Sequence, residues 1–151
     1  MENNLPKGWV ETSLNELLIT FESGSRPRGG VRGIKDGIPS FGGEHYNGKF
    51  NFENVKYVPK EFAVNMNQGR ISCEDILIVK DGATTGKVSY VDETFPYSNA
   101  VVNEHVFVCK SSQLLNSRYL FWFLWCEEGN KRILKNFKGS AQGGINKTFA
   151  L

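Results

Sequence analysis

Apolar and polar positions recur with two periods along this chain of 151 residues, and each period predicts its own elements. The sharpest block is Asp75-Ile-Leu-Ile-Val-Lys80, a nearly continuous apolar run that reads as a buried strand. Asp81-Gly-Ala-Thr-Thr-Gly86 follows as a tight turn, and Lys87-Val-Ser-Tyr-Val91 alternates and returns as the partner strand. Ala100 to Cys109, with Val101, Val102, Val106, Phe107 and Val108, predicts one further strand. Ile38-Pro-Ser-Phe41 is a short strand broken by Gly42 and Gly43, and Val55 to Val58 is another, stopped by Pro59. Helical spacing governs Asn116 to Asn136, where Leu120, Phe121, Phe123, Leu124, Ile133 and Leu134 recur, Asn116 or Ser117 caps, and Gly129 divides the helix in two. Trp122 and Trp125 lie three apart on it, and at least one is expected in the core. Ser13 is placed to cap a short helix over Leu14 to Ile19, and Ile145 to Phe149 reads as a last short strand.

The segments between are punctuated by glycine and proline. Leu5-Pro-Lys-Gly-Trp9 is a turn with two apolar anchors. Ser23 to Gly37 holds Gly24, Arg26, Pro27, Arg28, Gly29, Gly30, Arg32 and Gly33, keeps no period, and predicts a long exposed loop. Gly139 to Gly144 is a second glycine loop. With no internal repeat, the pattern predicts one domain over residues 1–151 of mixed α/β (α+β) class: a central, twisted, mostly antiparallel sheet with a late helix.

Charge changes this picture more by its distribution than by its total, a net +2. Residues 1–23 carry one Lys and four acids, and residues 24–50 carry five Lys or Arg and two acids. Residues 51–128 carry seven and ten, and residues 129–151 carry five and none. The two basic segments coincide with the two glycine loops. Folded onto one face they would neutralise phosphates; left apart they are solvated surface. The longest apolar run, Tyr119 to Cys126, is far below the roughly 18 residues of a membrane span. The polar start at Met1 lacks the apolar stretch of an export signal, and Cys73, Cys109 and Cys126 form no CxxC pair. Reduced thiols in a cytoplasm are therefore expected.

Several chemistries are weakened by spacing. Gly82 to Lys87 has three residues between its glycines where a phosphate-binding P-loop has four, and Val88 stands where Ser or Thr would. A plain hairpin turn is one reading. Another is a turn whose Thr84, Thr85 and Lys87 reach a nucleic-acid phosphate. The histidines, in Gly43-Glu-His-Tyr46 and Asn103-Glu-His105, have no zinc spacing, so no metal is expected. His105, in an apolar stretch, reads as a satisfied core or strand histidine. Phe95-Pro-Tyr97 resembles the tetrapeptide with which methyltransferases hold a flipped adenine, without its doubled proline or leading Asp or Asn. No GxGxxG follows a strand, so no dinucleotide or methyl-donor fold is expected, and nothing resembles a nucleophile–base pair. The chain is expected to be non-catalytic and without cofactors.

One family accommodates these motifs in order. Leu5-Pro-Lys-Gly-Trp9 with Leu14 and Leu17 is similar to the opening of a type I restriction–modification DNA-specificity domain. So are Gly24-Ser-Arg-Pro27 leading into Gly37-Ile-Pro, the hairpin from Asp75 through Gly82 and Gly86 to Val88, and Asn99 to Asn103. Ser117 with Tyr119 and Leu120, and Gly139-Ser-Ala-Gln142 before Ile145, complete the resemblance over nearly the whole chain. It implies a target-recognition domain that reads one half of a bipartite sequence in double-stranded DNA. Methyltransferase subunits, which bind S-adenosylmethionine, would modify an adenine, and through them a restriction subunit would cleave. A complete subunit of the family resembles two such domains joined by long helices. The second domain and those helices are expected to lie outside this chain.

Residue chemistry alone selects the expected contacts. Arg26, Arg28, Arg32, Ser40, Glu44, His45 and Tyr46 carry groups suited to base edges. Lys35, Lys80, Thr84, Thr85, Lys87, Lys138, Gln142 and Lys147 suit the backbone. Two other classes stay open: a protein-interaction module, which an exposed patch at Tyr119, Trp122 and Trp125 would favour, and a small enzyme, for which no coherent residue set speaks.

Overall fold

A computed structural model describes residues 5–139 and 143–151. Its frame is a four-stranded antiparallel sheet in the order β1-β9-β6-β7. These are β1 (Leu18–Ser23), β6 (Ile76–Val79), β7 (Val88–Tyr90) and β9 (Val106–Ser111). Beside it stands a three-stranded sheet in the order β5-β2-β8, built from β2 (Ile38–Phe41), β5 (Lys56–Val58) and β8 (Val101–Val102). There β2 runs antiparallel to β5 and parallel to β8. Two short strands, β3 (Tyr46–Asn47) and β4 (Lys49–Phe50), pair with each other. The mixed α/β class is as expected, with two principal sheets rather than one central sheet.

The apolar run of β6 is continuous because both faces of its sheet are covered. Leu77 and Val79 pack with Val106, Val108, Val102, Phe41 and Tyr46 on one side, ringed by Phe50, Phe95 and Tyr97. Ile76 and Ile78 pack with Phe107, Cys109 and Val88 on the other, against Leu120, Phe121, Leu124 and Ile133 of the late helices. Ile76 through Val79 are all fully buried. Alternation alone would have left one face wet.

The structure corrects the sequence reading in five places. Ala100 to Cys109 is two strands: β8 belongs to the three-stranded sheet and β9 to the four-stranded one, with a turn at Asn103 to His105 between them. Leu14–Leu17 forms a 3-10 turn that Ser13 does not cap by side chain, and Leu18 already begins β1, a six-residue strand that pairs with β9. The short helix α1 (Lys60–Val64) follows Pro59, where the sequence suggested no element. The late helix breaks at Cys126, between α2 (Ser117–Trp125) and α3 (Glu127–Leu134). Gly129 lies inside α3, where a Cβ would stand 1.8 Å from the Phe123 carbonyl oxygen, so glycine permits the corner without being it. Asn116 is the cap of α2, accepting from the Tyr119 amide at 2.8 Å. Lys147–Ala150 is a 3-10 turn rather than a strand.

Trp122 and Trp125 also depart from expectation: both are exposed, at 57% and 40%, next to Tyr119 at 67%. The helix buries Leu120, Phe121 and Leu124 instead, which leaves the tryptophans on its outer face. No helix among the described residues is long and apolar enough to cross a membrane.

Candidate nucleic-acid interface

Five chain segments that are remote in sequence meet at one end of the two sheets. The register of β6 with β9 sets Val79 opposite Val106, and the Lys80 amide donates to the His105 carbonyl at 2.8 Å. That pairing brings the hairpin turn after β6 against the turn between β8 and β9. The closing loop joins them. Gly144 bridges to both Asp81 and Lys138, and the Ile145 amide donates to the Lys80 carbonyl at 2.8 Å. A Cβ on Gly144 would stand 2.9 Å from both the Asp81 Cβ and the Lys80 carbonyl oxygen, so this approach needs glycine. The loop after β2 reaches the same place, where Gly43 accepts a 3.0 Å hydrogen bond from the Thr84 hydroxyl. The arginine loop arrives through Gly24, whose Cα packs against the backbone of Val102 and leaves no room for a Cβ.

A row of charges lies where these segments join. Arg26 Nε is 3.1 Å from Glu104 Oε1, and His105 Nε2 is 3.3 Å from the same oxygen. His105 Nδ1 hydrogen-bonds Asp81, whose second carboxylate oxygen lies 3.8 Å from Lys80 Nζ. His105 is therefore a half-exposed, carboxylate-flanked surface residue and not a core strand histidine. Glu104 and Asp81 were not selected from the sequence. The signal that finds them is the register, since Val79 opposite Val106 sets residue 81 opposite residue 104.

The other expected contact residues divide clearly. Arg28, Arg32 and Lys35 are exposed, and no described residue pairs with their side chains. From Arg26 the loop runs along the smaller sheet, where Val31 packs on the cluster of Val58, Ala63, Met66 and Val101, and Asp36 pairs with Lys60 at 3.0 Å. Lys138 is exposed beside the closing loop. Lys80 and Lys147 sit over the rings of Phe107 and Phe21, at 5.7 and 5.6 Å, and those rings meet edge to face. Lys87 is half-buried. Gln142 lies outside the described residues.

Three of the expected contacts are turned inward, and two use their hydroxyl hydrogens within the fold. Ser40, His45 and Tyr46 are buried, at 6%, 1% and 2% exposure, so they cannot reach a base edge in this conformation. His45 Nδ1 accepts from the Gly42 amide at 3.0 Å, and Tyr46 belongs to the aromatic cluster around Phe41. Burial pushes the Tyr46 hydroxyl well above its ordinary pKa. Thr84 and Thr85 donate their single hydroxyl hydrogens to the carbonyls of Gly43 and Gly82, at 3.0 and 2.7 Å, and so have none left for a phosphate oxygen. Glu44 stays half-exposed. Partial burial raises its pKa, but the 2.9 Å bond from Lys56 and the nearby backbone outweigh that and hold it below the usual value.

The aromatic face is separate. Trp125 packs over Gly48, stacks near Phe121, and with Trp122, Tyr90, Lys49, Asp92 and Arg118 lines an open groove of about 420 Å³. Among the described residues, no group of three or more His, Cys, Asp or Glu is arranged to hold a metal ion.

The fold matches a chain described under complex assembly and conformational transition of the type I R-M system, with a TM-score of 0.66 and 17% identity. It also matches the HsdS subunit of Thermoanaerobacter tengcongensis, at 0.63 and 16%, and a type I restriction-modification S subunit from M. genitalium, at 0.57 and 14%. These matches cover 99%, 99% and 98% of this chain, but only 34%, 33% and 33% of the others, so the chain spans about a third of their length. Among curated proteins none matches. A family model described as the type I restriction modification DNA specificity domain matches residues 6–149. The chain belongs to the type I restriction-modification DNA specificity domain family.

Proposed function

We propose that this chain is a single target-recognition domain that reads part of a double-stranded DNA sequence for a type I restriction–modification complex and performs no catalysis itself. The observation that carries this reading is the convergence of both glycine loops and the β6–β7 turn at one end of the sheets. Arg26, Arg28 and Arg32 supply planar donors suited either to guanine O6 and N7 or to phosphate oxygens, and Glu44 an acceptor suited to cytosine N4. Lys35, Lys87, Lys138 and Lys147 supply cations for phosphates, Lys80 a cation largely offset by Asp81, and Gln142 an amide in the closing loop. The partners are methyltransferase subunits and, through them, a restriction subunit, in the cytoplasm.

The test is binding to duplex DNA across salt concentrations. One half-site gives few contacts, so the chain alone is expected to bind at ~10⁻⁴ to 10⁻⁶ M at physiological salt, with affinity falling steeply as salt rises. Binding that ignores salt would overturn the reading. So would methyl transfer or strand cleavage that stays with the chain through repurification.

A specific observation supports a second surface beside the first. Tyr119, Trp122 and Trp125 form an exposed aromatic face on α2, of the kind that docks a protein subunit. We assign that face to a protein partner and the loop end to DNA. Cross-linking from Trp122 in the assembled complex tests the division: a protein adduct agrees with it, and a DNA adduct overturns it.

A further inference from the structure

Arg26 and Glu104 meet in a way that bears on how a base would be read. The carboxylate approaches Nε, the inner edge of the guanidinium, and among the described residues neither terminal Nη donates a hydrogen bond. Bidentate reading of guanine uses two parallel N–H groups from one edge of that plane. An arginine whose Nε stands 3.1 Å from a carboxylate is drawn toward that carboxylate before DNA arrives, with the Nη edge left open. A free arginine would have to lose its rotamer freedom on binding.

Glu104 is itself held. Its Oε1 faces His105 Nε2 at 3.3 Å, and Nδ1 of that ring hydrogen-bonds Asp81. The backbone beneath is fixed, because the His105 amide donates to Asn103 Oδ1 at 2.9 Å and the Asn103 amide donates to the Phe41 carbonyl at 2.9 Å. Glu104 Oε2 is buried with no hydrogen-bond partner among the described residues, and Oε1 faces the Arg26 guanidinium.

The two carboxylates also set the local field. Glu104 and Asp81 stand beside Arg26 and Lys80, which leaves little net positive charge there for a phosphate. Among the described residues, Arg28 and Arg32, on the same loop, have no such neighbour. We propose that Glu104, held by His105 and Asp81, is the positioning residue for Arg26, and that Arg26 reads a base while Arg28 and Arg32 hold phosphates. This inference rests on the reading of the loop end as a DNA-recognition surface.

The experiment uses the assembled complex that carries this chain, with base preference read by selection from randomised duplexes and by binding to single-substitution sites. Arg26→Ala is expected to lower discrimination at one base pair by roughly 10- to 100-fold. Glu104→Gln should lower it at the same pair by about 5- to 10-fold, and the double variant should match Arg26→Ala, since the second change then has nothing left to position. Glu104→Asp, which keeps the charge and shortens the reach, should lie between wild type and Glu104→Gln. It also serves as the readout if Glu104→Gln fails to fold. Arg28→Ala should weaken all sequences alike.

Four results would overturn part of this. If Arg26→Ala abolishes a preference that both Glu104 variants leave intact, the positioning role is wrong and the base-reading role stands. If Arg26→Ala shifts no preference while Arg28→Ala shifts one, the assignment within the loop is wrong. If neither arginine affects binding, the DNA surface itself is misplaced. If Glu104→Gln weakens every sequence equally, in step with a lowered melting temperature, Glu104 is structural only.

Discussion

Thr84 donates its hydroxyl hydrogen to the carbonyl oxygen of Gly43 at 3.0 Å, joining two turns that are 41 residues apart in sequence. A neutral hydrogen bond of this kind contributes about 1 kcal/mol. Thr84→Val keeps the shape and removes the donor, so it should lower the unfolding free energy by about that amount in a denaturant titration. The salt dependence of DNA binding should not change. A drop of one unit in that dependence would identify the hydroxyl as a phosphate contact after all.

Lysine contributions separate by the same slope. Lys138→Ala and Lys147→Ala should each weaken binding to all sequences alike and reduce the salt slope by about one unit, as expected for the loss of one phosphate neutralised. Binding titrations at several salt concentrations measure this. A changed base preference in either variant would mean that the closing loop reads bases.

Asp75 supplies a pH dependence of stability. Burial raises its carboxyl pKa above the ordinary 3.8, although Lys110 Nζ at 2.6 Å and the Ser72 amide at 2.7 Å pull it down. The folded chain then binds this proton more tightly than the unfolded chain. Asp75's contribution to stability therefore falls as pH rises from 3.8 through the folded value, and is flat above it. Asp75→Asn should remove that slope from thermal melts. Lys110→Met, which strands the buried carboxylate, should cost about 3 kcal/mol at neutral pH and less as pH falls. A Lys110→Met penalty that grows on acidification would contradict the sign.

Exposure of the tryptophans reverses what their spacing suggested. Trp122 is 57% exposed, so Trp122→Ala should change stability by less than about 1 kcal/mol. Leu124→Ala, at a buried position of the same helix, should cost about 2–5 kcal/mol. Paired thermal melts decide this. Equal losses would mean that Trp122 is buried.

Most element positions were legible because their signals are local. The run from Ile76 to Val79, the turn at Gly82 to Gly86 and the alternation from Val88 to Tyr90 depend on near neighbours only, as does the Asn116 cap. The strand at Leu18 to Ser23 was hidden because its apolar residues also fit helical spacing, and only pairing with β9 decides between the two. The division of Ala100 to Cys109 was hidden because Val102 and Val106 both serve the same core while belonging to different sheets.

The convergence of the two basic loops on one end of the sheets was legible as a possibility, but which side chains each turn exposes was not. Glu44, His45 and Tyr46 follow a strand directly, which suggested a projecting loop. The 3-10 turn at Gly43–His45 rotates His45 inward against Phe41. Which side a short turn presents is settled by what it packs on, and that neighbour lies far off in sequence.

The sandwiching of β6 has a consequence for motion. Amides in the middle of a strand covered on both faces exchange with solvent mostly when the whole molecule opens, whereas loop amides exchange through small local excursions. The five converging segments are fastened to that covered centre within two or three residues of a strand end. Successive sequences could therefore rewrite the loop tips while the anchorage stays still. Under the proposed reading, a change of target is a change of fringe, made against a background expected to open last.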